Sequence, residues 1–167
     1  MKTNTGEIPS EKKIKISNQL WKMLSRAYHL QAKSYNQFLK EWGLSLSQYH
    51  ILSQIGSHER ISQKELAERL FVSKGNVTQL ISKMEKSGLI HREQEWKTKY
   101  LTLTEQGLAL FREIEPQQKL FLFRQFQEMP KKEQKEMTRL LDAFICLQTA
   151  NDPAEVGATE EKDSEKN

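Results

Sequence analysis

Apolar residues recur every three or four positions through Ile16, Leu20, Leu24, Ala27, Tyr35, Phe38 and Trp42, with only Gln31 interrupting the stripe. This spacing marks one face of a long helix, because side chains three and four apart lie on the same side of a 3.6-residue turn. Gly43 ends the stripe, and Ser45 with Gln48 forms a capping-box pattern ahead of Tyr49, Leu52 and Ile55. A second such pattern, Ser62 with Glu65, opens a short helix carrying Leu66, Ala67 and Leu70. Ser73 is placed to cap a fourth helix bearing Val77, Leu80, Ile81 and Met84, which Ser87-Gly88 closes in the manner of a left-handed C-cap. The period then changes, and residues 89–93 and 99–103 read as short strands around a polar tip at 94–98, a β-hairpin. Thr104 caps a helix through Leu108, Phe111 and Ile114 that Pro116 is expected to kink or restart, with Phe121, Phe123, Phe126 and Met129 beyond it. Pro130 suits the first position of a last helix with Met137, Leu140, Leu141, Phe144 and Leu147 on one face. The predicted order is α-α-α-α-β-β-α-α, mainly α with a small β-hairpin.

Composition agrees with this pattern and narrows the class. Leucine outnumbers valine 20 to 3, which favours helices over strands. The longest apolar run is five residues, from Ala143 to Leu147, far short of the ~20 that span a bilayer, so no membrane partner is expected. Residues 1–13 are polar, are expected to be flexible and lack the features of a secretory signal, which points to the cytoplasm. The single cysteine, Cys146, excludes an internal disulfide and is expected to be a buried, inert hydrophobe. His29, His50, His58 and His91 do not sit at metal-ligand spacing, so no metal and no cofactor is expected.

The net charge of +4 hints at a polyanionic partner, and its distribution sharpens the hint. Residues 151–167 hold six acids against two lysines, a charge of −4, so residues 1–150 carry +8. The segment 150–167 reads as a disordered acidic tail, leaving 14–149 as the folded body. Within residues 60–99 nine basic residues face five acids.

Two capped helices three residues apart, followed at once by a hairpin, form the layout of a winged helix-turn-helix over about 45–104. Ala67 is small where the two helices cross, and Val77 and Leu80 are apolar where the second must pack on the first. Phe71 stands in the turn where many such motifs have glycine. The sequence resembles the MarR family of bacterial transcription regulators. The residues carrying the resemblance are Leu46-Ser47-Gln48-Tyr49-His50-Ile51-Leu52, Ser62-Gln63-Lys64-Glu65-Leu66-Ala67, Ser73-Lys74-Gly75-Asn76-Val77-Thr78, Met84-Glu85-Lys86-Ser87-Gly88-Leu89-Ile90 and Leu103-Thr104-Glu105-Gln106-Gly107. The resemblance implies a homodimer whose terminal helices, about 14–42 and 105–149, interlock, each subunit presenting a winged motif to a pseudo-palindromic operator. One departure stands out: where relatives commonly carry an Asp-Arg pair at the wing tip, this chain reads Glu95-Trp96-Lys97 in a shorter hairpin.

On these grounds the DNA-binding residues are expected to be Ser73, Lys74, Gly75, Asn76 and Gln79 at the start of the recognition helix, with Lys83, Arg92, Trp96, Lys97 and Lys99 around it. A helix N-terminus attracts phosphate, and Asn and Gln can pair bidentately with adenine. The competing reading is an ordinary solvated polar face. Leu20, Phe121, Leu140, Leu141 and Phe144 are expected at the dimer interface, since a folded monomer hides these helices less well than an interlocked dimer. The resemblance also implies a pocket for a small aromatic or phenolic effector, for which Tyr28, Tyr35, Phe38 and Trp42 are the candidates, although they serve equally well as core. The expected function is a sequence-specific DNA-binding regulator, a repressor by the family's habit, and not an enzyme, because no nucleophile-base pair, phosphate loop or paired-carboxylate motif is present. The alternative is a winged-helix adaptor for protein contact, favoured by the arginine-poor wing and opposed by the basic segment.

Overall fold

The computed structural model describes residues 9–58, 60–70 and 74–150. Helix α1 (Glu11–Leu39) runs through a 3₁₀ turn (Lys40–Trp42) toward α2 (Leu46–Gly56). There follow β1 (Ile61–Ser62), α3 (Gln63–Arg69), α4 (Lys74–Lys86), β2 (Ile90–Glu95), β3 (Thr98–Leu103), α5 (Glu105–Phe126) and α6 (Lys131–Thr149). This is the mainly helical architecture with a small β wing that the patterning predicts.

The caps explain why the helices begin where they do. The Gln48 amide donates to Ser45 Oγ at 3.3 Å and Gln48 Oε1 accepts from the Ser45 amide at 2.9 Å, so both halves of the capping box form. Ser62 Oγ accepts from the Glu65 amide at 3.1 Å. Thr104 Oγ1 accepts from the Gly107 amide at 3.0 Å and donates to the Gly88 carbonyl at 2.5 Å, which joins the start of α5 to the end of α4. Gly88 has φ 71°, the left-handed closure that its position demands.

Four details depart from the sequence reading. Strand β1 pairs Ile61 with Leu101 and Ser62 with Tyr100, giving a three-stranded sheet in the order β1-β3-β2. Two residues are too few to show alternation, so periodicity could not reveal it. The five-residue tip shrinks to Trp96 and Lys97, because Glu95 pairs with Thr98 and Gln94 with Lys99. Helix α5 continues through Pro116 instead of restarting there. Cys146 is exposed, not buried, because α6 buries none of its own residues in a single chain.

The chain divides into two compact units, one through Glu115 and one from Pro116 onward. The first contains a complete core: Leu39, Ile51, Leu52, Leu66, Val77, Ile81, Met84, Leu101 and Ile114 are fully buried. Backbone approach is close there, since a Cβ on Gly107 would lie 2.0 Å from the Leu89 carbonyl oxygen. In the second unit no described residue is buried. Leu140 and Phe144 of α6 are 54% and 42% exposed, as is much of the first half of α1, where Leu20 reaches 66%.

Candidate nucleic-acid interface

Helix α4 is split lengthwise by its sequence. Val77, Ile81 and Met84 turn inward, and Ala67 of α3 is buried, which lets α3 and α4 pack as a helix-turn-helix pair. The opposite face leaves Gly75, Asn76, Thr78, Gln79, Lys83 and Lys86 exposed. The buried face fixes the rotation of the helix, so these polar groups share one solvent-facing side. Gly75 adds a second sign: a Cβ there would meet nothing within 4 Å, so the fold itself does not require glycine in that helix. Ser73 lies outside the described residues, as does the turn 71–73, and Lys74 opens α4.

Asn76 and Gln79 line a hollow of about 300 Å³ together with Ser47, His50, Leu70 and Leu80. Ser47 and His50 are thus neighbours of the two amide side chains expected to read bases, which the sequence reading did not anticipate. A larger hollow of about 630 Å³ lies between the start of α3, Thr78 of α4 and the first residues of β3. Lys64, Lys97 and Lys99 line it, and Gln63 Nε2 donates to Thr78 Oγ1 across its base at 2.8 Å.

Charge pairing sorts the basic residues. Arg92 on β2 is bound to Glu85 of α4 at 2.5 Å in a partly buried bridge, so it ties the wing to the recognition helix. Lys64 and Arg69 pair with acids one turn away, Glu68 and Glu65, at 3.8 and 2.8 Å. Among the described residues, Lys83, Lys97 and Lys99 have no such acid partner and remain available to phosphate. Arg60 does something the sequence did not suggest: it forms an ion pair with Glu95, lies 3.6 Å from Glu93 and stacks 3.8 Å above the Tyr100 ring. The hydrogen bond to Glu95 raises its pKa from the ordinary arginine value. Arg60 thus offsets one of the two negative charges that the wing carboxylates would turn toward a polyanion. A two-residue strand places Arg60 there, and β1 was the element that patterning could not show.

At the wing tip Trp96 is 97% exposed and holds φ 54°, a left-handed backbone that bulky residues rarely adopt. The Gln94 side-chain amide donates to its carbonyl at 3.2 Å.

Of the four aromatics expected to line an effector pocket, three cluster. Phe38 lies 6.1 Å from the Tyr35 ring and 5.2 Å from Trp42, and Tyr35 lies 6.0 Å from Tyr49. Tyr35 is buried as core, and Trp42 Nε1 donates to Glu113 at 2.7 Å. Tyr28, 67% exposed, sits against His29 instead. Tyr49 is buried, and desolvation, with Tyr35 and Glu115 nearby, drives its phenol pKa well above the usual value. No described helix is long and apolar enough to cross a membrane.

Comparison with known proteins agrees with this geometry. The profile of the MarR family matches residues 44–96, which span α2, the helix-turn-helix pair and the wing up to Trp96. A curated helix-turn-helix transcriptional regulator of Bacillus cereus strain ATCC 10987 is 34% identical over 122 residues, covering 73% of this chain and 83% of its own length. Among solved structures, the MarR-family regulator AbsC of Streptomyces coelicolor superposes with a TM-score of 0.73 at 21% identity, over 87% of this chain and 99% of that one. CouR of Rhodococcus jostii RHA1, solved with p-coumaroyl-CoA bound, gives 0.64 at 22% identity over 73% and 88%. Helix pair, polar outer face of α4, wing and relatives agree: the chain belongs to the MarR family of helix-turn-helix transcriptional regulators, DNA-binding proteins and not enzymes.

Proposed function

We propose that this chain is a homodimeric repressor that binds a pseudo-palindromic operator and leaves it when a small aromatic or phenolic effector binds. The observation that carries the reading is the division of α4: one face fully buried against the winged core, the other presenting Gly75, Asn76, Gln79 and Lys83 outward. Ser73 and Lys74 are assigned with them to the helix start. Lys97 and Lys99 serve phosphates on the wing side, and Arg92 holds the wing to α4. A second copy is supported by the exposure of Leu20, Leu140, Leu141 and Phe144, apolar side chains that it would cover, and Phe121 is assigned to the same interface. Effector release is supported by the p-coumaroyl-CoA bound to CouR and by the Tyr35-Phe38-Trp42 cluster beside α2. An effector would act by favouring a dimer whose two α4 helices no longer match successive major grooves.

The test is a titration of the full chain against duplex from its own promoter region and against scrambled duplex at several salt concentrations. Selective binding that weakens steeply with salt is expected. Asn76→Ala and Gln79→Ala should each lower the preference by about 1–3 kcal/mol if each loses a bidentate base contact. Equal binding to both duplexes at every salt concentration would favour the protein-contact adaptor.

A further inference from the structure

We infer that Trp96 is an apolar wedge that enters the minor groove beside the operator half-site and reads the deformability of the step it enters. The inference rests on the DNA-binding reading above and adds a residue-specific mode of recognition to it.

Four observations converge on the wing tip. Trp96 is the most exposed large apolar residue described, at 97%, and burial in this chain does nothing to hold it there. Its φ of 54° is one that glycine adopts without cost and tryptophan does not, so neither packing nor backbone preference explains tryptophan at this position. The loop is only two residues long, with Glu95 pairing Thr98, so the indole projects from the narrowest part of the hairpin. Finally, the charge around it is on balance positive: Lys97 and Lys99 are exposed, and Arg60 bridges Glu93 and Glu95, so three cations stand against two carboxylates.

The indole chemistry selects the groove. Its one polar atom is an N–H donor. The minor-groove floor of an A·T pair displays acceptors only, whereas a G·C pair adds an amino donor that would oppose it. Apolar side chains inserted from the minor groove partly unstack a base step, and pyrimidine-purine steps such as TA yield most easily. Lys97 and Lys99 on the same tip can contact the phosphates that border the groove. The chain thus recognises its flanking sequence by shape, with tryptophan where a cation would instead read the potential of a narrow groove.

The experiment uses the full chain and promoter duplexes carrying 2-aminopurine at the steps outside the half-sites. Wild-type protein is expected to raise 2-aminopurine fluorescence on binding and to prefer TA over GC at that step. Trp96→Ala should bind roughly tenfold more weakly at unchanged salt slope, because an uncharged contact is lost, and should give no fluorescence rise. Trp96→Phe should keep most of the affinity and lose the A·T preference. Trp96→Gly, whose backbone suits φ 54°, supplies the same comparison if the alanine variant folds poorly. A selective wild type whose Trp96→Ala and Trp96→Gly variants match it in affinity and fluorescence overturns the wedge alone. A wild type with no sequence preference overturns both the wedge and the DNA-binding reading beneath it.

Discussion

The winged core and the apolar faces of the outer helices are built from the same residue types and reach opposite outcomes. Leu52, Leu66 and Ile81 are fully buried within one chain, whereas Leu20 and Leu140 are 66% and 54% exposed. Both sets recur at helical spacing, so local sequence does not separate them. What differs is whether the rest of the same chain supplies a covering surface. Three short helices and a sheet wrap one another in the first case. In the second, long amphipathic helices carry more apolar surface than a single copy covers, which is why a second copy is assigned to them. The winged part covers its own core, whereas the outer helices leave apolar faces open; in the proposed dimer, a signal at their interface would move two rigid reading heads without unfolding either.

This contrast can be broken at either end. The largest effect should come from Gly107→Ala, because the added methyl would sit 2.0 Å from the Leu89 carbonyl oxygen, a backbone atom that cannot swing aside. A loss of about 3 kcal/mol is expected in urea unfolding, with the wing and α5 separating. An unfolding curve matching wild type would show that the α5 start is not locked to the end of α4. Next is Leu140→Glu on α6, which should leave the winged core folded and shift the dimer to monomer by about tenfold or more in sedimentation, as a charge is placed in an apolar interface. Unchanged association would remove Leu140 from the interface.

A smaller and pH-confined effect concerns Tyr49. Burial raises its phenol above the ordinary value of 10, so the folded state keeps a proton that the unfolded chain releases. Its contribution is fully present below pH 10 and is lost as pH rises beyond it, at up to about 1.4 kcal/mol per unit. Tyr49→Phe should flatten that alkaline decline in a thermal melt series. A decline identical to wild type would place its cause in other groups.

Much of this was legible in the chain. Ser45 with Gln48, Ser62 and Thr104 announced three helix starts because capping depends on residues two to three apart. The expected outward set on α4 came from the motif and its residue types, and the burial of Val77, Ile81 and Met84 agrees with it, while Leu80, expected inward, is only half-buried and lines the hollow beside Asn76 and Gln79. What escaped depended on distant partners. Arg60 looked like one basic residue among nine, and only the pairing of Ile61 with Leu101 brings it over Tyr100 and between Glu93 and Glu95. Arg92 looked like a phosphate ligand until Glu85, seven residues earlier and across an element boundary, took it. Cys146 was misjudged because an apolar stripe shows which residues want cover and not whether one chain provides it.

The most direct test is sedimentation of the full chain with a labelled duplex from its own promoter region, beside a scrambled duplex of the same length. The account predicts two chains on one promoter duplex and little binding to the scrambled one at physiological salt. One chain per duplex, or equal binding to both sequences, would contradict it.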